Sequence, residues 1–205
     1  EGWLGNIVEA EIHYDRYDPG LSYKLHKEIP TAAVGSIYDL GSHLIDQALV
    51  LFGMPNAVFA DLDTYRPNSK VGDYFDIKLF YSTHRVILKS SYYVREALPG
   101  NIMNGTKGTF IKSKAELQAG KIPGSKDWGA EPDKEKGLLH TEKDGKIIRE
   151  QVPTLNGDYM EYYEGIYQAL RNNGLVPVTG TEGMEVIRVI EAALKSNREK
   201  KVIDL

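Results

Sequence analysis

The chain has 205 residues, 41% hydrophobic and 26% charged, with 25 Lys and Arg against 29 Asp and Glu for a net charge of −4. That is the profile of a folded globular chain able to bury a core, and so mild an acidity excludes a nucleic-acid footprint. It holds no cysteine, which rules out disulfides and thiolate chemistry and fits a cytoplasmic setting, and it has no apolar run near the ~20 residues that span a bilayer.

Residues 6–17, "NIVEAEIHYDRY", alternate apolar and polar and predict a strand. Asp15, Arg16 and Asp18 stand where it runs into "DPGLSYKLHKEIPTAAVG". Such a junction suits ligand groups, and a surface ion pair is the other reading. The loop itself is long enough to carry a function. A helix follows at about 38–52 and stops at Gly53, with Pro55 beyond. Three strand-like runs come next, "NAVFADLDTY", "DYFDIKLFYS" and "HRVILKSSYYV". "STHR" is short enough to make the last two a hairpin. "GNIMNG" and "GTFIKS" flank "GTKG", a second hairpin with glycines available for positive φ.

Residues 114–136 are polar, broken by Gly and Pro, and read as an irregular insertion; Trp128-Gly129 within it suits either an apolar edge or a pocket wall. "GLLHTEKDGKIIREQVP" predicts a hairpin turning at Asp144-Gly145. Two helices close the chain. The first spans about 158–172, with Tyr159, Tyr163, Ile166, Tyr167 and Leu170 at helical spacing and Tyr163 expected in the core. The second begins with Thr181 as N-cap and Glu182 and Glu185 in its first turn. "KVIDL" ends the chain as a short strand. Together these elements predict one α+β domain over 1–205: an open, mostly antiparallel sheet with helices packed on one face.

The dinucleotide, P-loop, HExxH and nucleophile-elbow motifs are all absent, and no two glycines stand two apart. One stretch stands out instead. "GSIYDLGSHLIDQALVLFG", residues 35–53, is apolar nearly all round, as a buried helix is. Yet Asp39, His43 and Asp46 sit on it at i, i+4 and i+7, one stripe of one face. A carboxylate one turn before a histidine can set its orientation and tautomer, and such a histidine can take a proton from a hydroxyl. Asp46 would face the same space. The bland alternatives are an N-cap for Asp39, a backbone-bonded core histidine, and a surface ion pair for Asp46. Buried carboxylates are rare unless paired or functional, which favours a site.

The same stretch strongly resembles the Gly-x-x-x-Asp-x-Gly-x-His-x-x-Asp segment of the Gfo/Idh/MocA oxidoreductases. "GNIVEAEIHYDRYDP" resembles the strand that opens the family's second domain, and residues 156–205 resemble its closing helix pair and last strand. Scyllo-inositol dehydrogenase-like members are the most similar. The resemblance implies a two-domain enzyme: a Rossmann half carrying NAD or NADP and a catalytic Lys, and a second half of glyceraldehyde-3-phosphate dehydrogenase-like C-terminal fold. That second half holds a small polyol or sugar substrate and forms homo-oligomers through its sheet. This chain resembles the second half alone, and its start, "EGWLGNIVEA", reads as a cut through a longer protein. The expectation is a fragment that does not turn over by itself. By the resemblance, His43 is the acid/base, Asp39 orients it, and Asp46 and Tyr159 contact substrate. Arg16 and Asp15 are further substrate-binding candidates. No metal is expected. The rival functions are a non-catalytic sugar-binding or scaffolding domain and a metal-dependent hydrolase or isomerase built on Asp39, His43 and Asp46.

Overall fold

The computed structural model describes residues 2–114, 125, 128–155 and 157–205. Its strands are β1 (Ile7–His13), β2 (Ala57–Asp63), β3 (Tyr74–Phe80), β4 (Arg85–Ser91), β5 (Pro99–Gly105), β6 (Gly108–Ser113), β7 (Gly137–Lys143), β8 (Lys146–Val152) and β9 (Ile203–Asp204). They form one sheet in the order β8-β7-β6-β5-β1-β4-β3-β2-β9. Each neighbouring pair is antiparallel except β1 and β4, which run parallel with Ile12 opposite Leu88. The first strand thus inserts between β4 and β5, a long-range placement that no local turn signal encodes. The expected open, mostly antiparallel α+β sheet is what the chain forms.

The core lies on one face. Ala10 and Ile12 of β1, Phe75 and Ile77 of β3, and Val86 and Leu88 of β4 alternate inward and are fully buried. They pack against Leu44, Ile45 and Ala48 of α1 (Ser42–Phe52) and Val189, Ile190 and Ala193 of α3 (Gly180–Glu199). Alpha-1 is entered through a π-helical turn, Ile37–Gly41, a widened turn frequently found at functional sites. A Cβ on Gly41 would stand 3.3 Å from Ile37 Cγ1 and 3.6 Å from the Phe75 ring. Glycine there lets the helix lie close on the sheet. Ser196 and Asn197 of α3 accept the Ala60 and Leu62 amides, each at 3.0 Å. These bonds satisfy part of the β2 edge that the two-residue β9 leaves open.

Three local expectations change. The N-cap of α3 is Thr179, not Thr181, because Thr179 has Glu182 at N3 and closes a reciprocal capping box with it. Neither Gly105 nor Gly108 takes positive φ. Both instead make room, since a Cβ on Gly105 would meet Leu4 O at 2.1 Å and one on Gly108 would meet His140 O at 2.6 Å. Helix α2 (Met160–Asn172) has no buried residue, and Tyr163, expected in the core, is 62% exposed. Its apolar stripe exists, but no described element lies over it. Of the insertion expected over 114–136, residues 115–124, 126 and 127 lie outside the described residues; Asp133–Glu135 form a short 3-10 turn. The hairpin at Asp144-Gly145 is as expected, both residues left-handed at φ 53° and 72°.

The opposite sheet face is uncovered by any described element. It mixes half-buried Phe59, Ile87, Ile102, Ile111 and Leu138 with Glu11, His13, Asp76 and Lys89. Among the described residues no helix is long and apolar enough to cross a membrane.

Candidate active site

The loop after β1 folds back over the start of α1 and encloses a cleft of about 660 Å³, lined by Arg16, Lys27, Tyr38, Asp39, Arg66 and Tyr92 among others. One buried fork holds that loop down. Arg66 is 5% exposed and donates from Nε to Asp73 Oδ2 at 3.1 Å, and from Nη1 to Gly20 O at 2.9 Å and to Glu28 Oε1 at 3.0 Å. Asp73, fully buried, also accepts the Tyr65 and Arg66 amides, each at 2.9 Å. Glu28 accepts the Ser22 amide at 2.7 Å. Burial pulls the Glu28 pKa up, but the Ser22, Ser69 and Arg66 hydrogen bonds outweigh it and leave the carboxyl below its ordinary value. The guanidinium is therefore the rivet between the loop and the β2–β3 connection.

Next to Glu28, Lys27 reaches across the cleft and donates to Asp39 Oδ1 at 2.9 Å. Asp39 was expected to orient His43; among the described residues its hydrogen bond goes to Lys27 instead. His43 lies one turn further along α1, with its ring stacked on Tyr14 at 6.5 Å between centroids. Asp39, His43 and Asp46 are all exposed. They stand on the side of α1 opposite Leu44, Ile45 and Ala48, and share it with Val50 and Leu51, which are 79% and 52% exposed. The stripe is thus an open rail beside the cleft, and the argument from buried carboxylates does not apply to it. Among the described residues no ion pair reaches Asp46. No three His, Asp or Glu side chains of the described residues converge as metal ligands.

Arg16 and Asp15 part company. Arg16 turns to the helix side, its guanidinium 4.7 Å from the Tyr92 ring centroid and 5.7 Å from that of Tyr14. Asp15, one residue earlier, faces the uncovered side, as strand alternation demands. There it accepts the Ser91 amide at 2.9 Å and meets His13 Nδ1 at 2.9 Å, while His13 Nε2 meets Glu11 at 3.1 Å. The Asp15 hydrogen bond raises the His13 pKa, burial opposes it, and Glu11 adds to the rise. Only the imidazolium can donate to both carboxylates. Tyr159 is 69% exposed at the start of α2, edge-on to Trp128 with centroids 6.5 Å apart. Trp128 Nε1 donates to Asp158 at 2.9 Å.

The structure therefore brings Arg16, Asp39 and His43 to one region, with Asp46 further along the rail, and puts Asp15 on the other face. Tyr159 is not among the residues lining the cleft. Sequence reasoning missed Lys27, Tyr92 and Arg66, since each enters the site only through a loop return or a cross-strand contact. The sole signal was the length of the 18–35 loop.

The sequence model described as the oxidoreductase family, C-terminal alpha/beta domain, of the Gfo/Idh/MocA group matches residues 1–205. The chain is 38% identical to a scyllo-inositol 2-dehydrogenase (NADP(+)), IolW, of Bacillus subtilis, over 100% of this chain and 58% of the relative. It is 30% identical to an uncharacterised oxidoreductase, YdgJ, of Escherichia coli, over 100% of this chain and 60% of the relative. A solved structure of the B. subtilis oxidoreductase yvaA superposes with a TM-score of 0.91 at 37% identity, covering 100% of this chain and 59% of the other. The chain thus spans less than two thirds of the length of these relatives.

Proposed function

This chain belongs to the Gfo/Idh/MocA oxidoreductases, and from that premise we propose that it is the substrate-binding half of an NAD- or NADP-dependent dehydrogenase acting on a CH–OH group. The substrate is a polyol or sugar. The name of the B. subtilis relative, an NADP(+) dehydrogenase of scyllo-inositol, supports both the cofactor class and the substrate class. One observation carries the reading: His43 stands exposed on the rail of α1, one turn from the cleft-lining Asp39 and stacked on Tyr14.

The dinucleotide is a fitting partner for one part of this chain only. With no two glycines two apart, nothing here can cradle its phosphates in the usual glycine-rich turn, so a separate domain would hold them. The open side of α1, with His43, Asp46, Val50 and Leu51, is the surface left for the nicotinamide end. When bound, the cofactor supplies the hydride acceptor. The chain's own residues do the rest. His43 takes the proton of the reacting hydroxyl. Asp46 accepts hydrogen bonds from neighbouring hydroxyls, and Asp39, gripped by Lys27, fixes the cleft wall beside the base. Tyr159 remains a candidate substrate contact of the assembled protein, whereas Asp15, engaged with the Ser91 amide and His13 on the other sheet face, does not. The same proposal has the enzyme cytoplasmic and homo-oligomeric through the uncovered sheet face, whose half-buried apolar residues favour a partner surface.

The test uses the full-length polypeptide, assayed by nicotinamide absorbance with inositols and aldoses and both cofactors, beside His43→Ala. Turnover of one polyol or sugar is expected, with kcat/KM in the variant lower by ~100-fold or more. Equal rates in wild type and variant would remove His43 from the chemistry. Inertness of both toward the whole panel and toward its acidic and phosphorylated forms would favour a binding or scaffolding domain.

A further inference from the structure

Of the basic side chains that line the cleft, Lys24 and His26 are exposed, while Lys27, Arg66 and Arg16 are more deeply set, and two of these three are already matched within the protein. Lys27 is paired with Asp39, and Arg66 with Glu28 and Asp73. Arg16 is different. It is half-buried, yet among the described residues its guanidinium meets only two aromatic rings, those of Tyr14 and Tyr92. Asp18, the neighbouring acid of the cleft, is exposed and forms no ion pair with it. A charge drawn partly out of water without a counter-charge is costly. Aromatic rings also supply no carboxylate or carbonyl oxygen, so the guanidinium keeps N–H donors for a ligand, and a guanidinium binds a carboxylate or phosphate through two parallel hydrogen bonds.

We infer that the substrate carries an oxyanion, a carboxylate or a phosphate ester, which Arg16 binds while a hydroxyl of the same molecule faces His43. The juxtaposition that carries this is the Tyr14 ring, with Arg16 Cζ 5.7 Å from its centroid and the His43 ring 6.5 Å from it. The anion anchor and the base thus stand against the same aromatic side chain. A neutral cyclitol, the substrate named for the B. subtilis relative, would leave the guanidinium unmatched. Arg16 is therefore a specificity residue, selecting acidic or phosphorylated polyols over neutral ones. The inference rests on the proposal that this cleft is the substrate site.

Calorimetric titration of the full-length polypeptide tests it without cofactor, so no turnover is required. The probes share carbon skeletons: glucitol, gluconate and glucitol 6-phosphate, then myo-inositol beside myo-inositol 1-phosphate. At least one acidic probe should bind about 10- to 100-fold more tightly than its neutral counterpart, the range for a hydrogen-bonded charge. A preference for gluconate alone assigns the carboxylate, and for the esters alone the phosphate. Arg16→Gln should erase the preference, with the fold checked by circular dichroism. Arg16→Lys, which keeps the charge and loses the fork, should retain part of it. Equal affinity across each set, or a preference that survives Arg16→Gln, overturns the inference. Turnover of neutral polyols with a His43-dependent rate would then leave the dehydrogenase reading standing. Anion binding through Arg16 in a protein that oxidises none of the panel would sink that reading and keep this one.

Discussion

Replacing Arg66 by Met should unfasten the cleft loop and cost much of the chain's stability. The side chain is 5% exposed and Asp73 beneath it is 0% exposed. Methionine keeps comparable bulk, so the loss is electrostatic. It removes the Nε bond to Asp73, the bond to Gly20 O and the two-pronged contact with Glu28, at 3.0 and 3.3 Å. Asp73 keeps its two backbone donors but becomes a buried charge with no cation. Glu28, nearer to solvent, keeps Ser22 and Ser69 and suffers less. Removing one partner of a buried pair costs about 3–5 kcal/mol, against a total of about 5–15 kcal/mol for a domain. Urea denaturation at unchanged m-value measures the loss of stability, and hydrogen exchange at the amides of residues 20–28 measures the unfastening of the loop. Adding Asp73→Asn should recover part of the loss, because it removes the stranded charge, so the double mutant should be less unstable than the sum of the singles. A loss below about 1 kcal/mol with unchanged exchange in the loop would refute the rivet.

His13 should titrate above its ordinary 6.5, since the Asp15 and Glu11 hydrogen bonds outweigh burial. A raised folded pKa means its contribution is complete below about pH 6.5 and fades as pH climbs through the folded value. Asp15→Asn should bring the NMR titration down and flatten the pH dependence of Tm, and a wild-type midpoint at or below 6.5 would contradict this. Thr179→Ala should cost about 0.5–2 kcal/mol by opening the capping box of α3, while Thr181→Ala should cost clearly less; equal losses in thermal melts would return the cap to Thr181.

Much of the architecture was legible because it is written in short-range chemistry. The alternation in "NIVEAEIHY", the Asp144-Gly145 turn and the Gly53 stop each depend on neighbours within a few residues. Where two local rules competed, reasoning slipped. Thr179 and Thr181 are equally good caps by residue type, and only the Glu182 side chain at the correct spacing chose between them. The glycines of "GTKG" looked like turn formers, but Leu4 and His140 press against them from distant parts of the chain. The tyrosine stripe of α2 was correctly periodic and wrongly placed in the core, since periodicity says which residues share a face and nothing of what lies over it.

By itself the sequence determined the element types, the apolar faces and the single rail that holds Asp39, His43 and Asp46, because these follow from the periods of helix and strand. Tertiary structure alone decided that β1 runs parallel to β4 in mid-sheet, that Asp15 and Arg16 look to opposite sides, and that Asp39 answers to Lys27 rather than His43. It also decided that Arg66 meets Glu28 across 38 residues of chain. The reason is common to all of these. A contact between distant segments depends on where a loop returns, and that is set by the packing of the whole core and not by any residue's own neighbours.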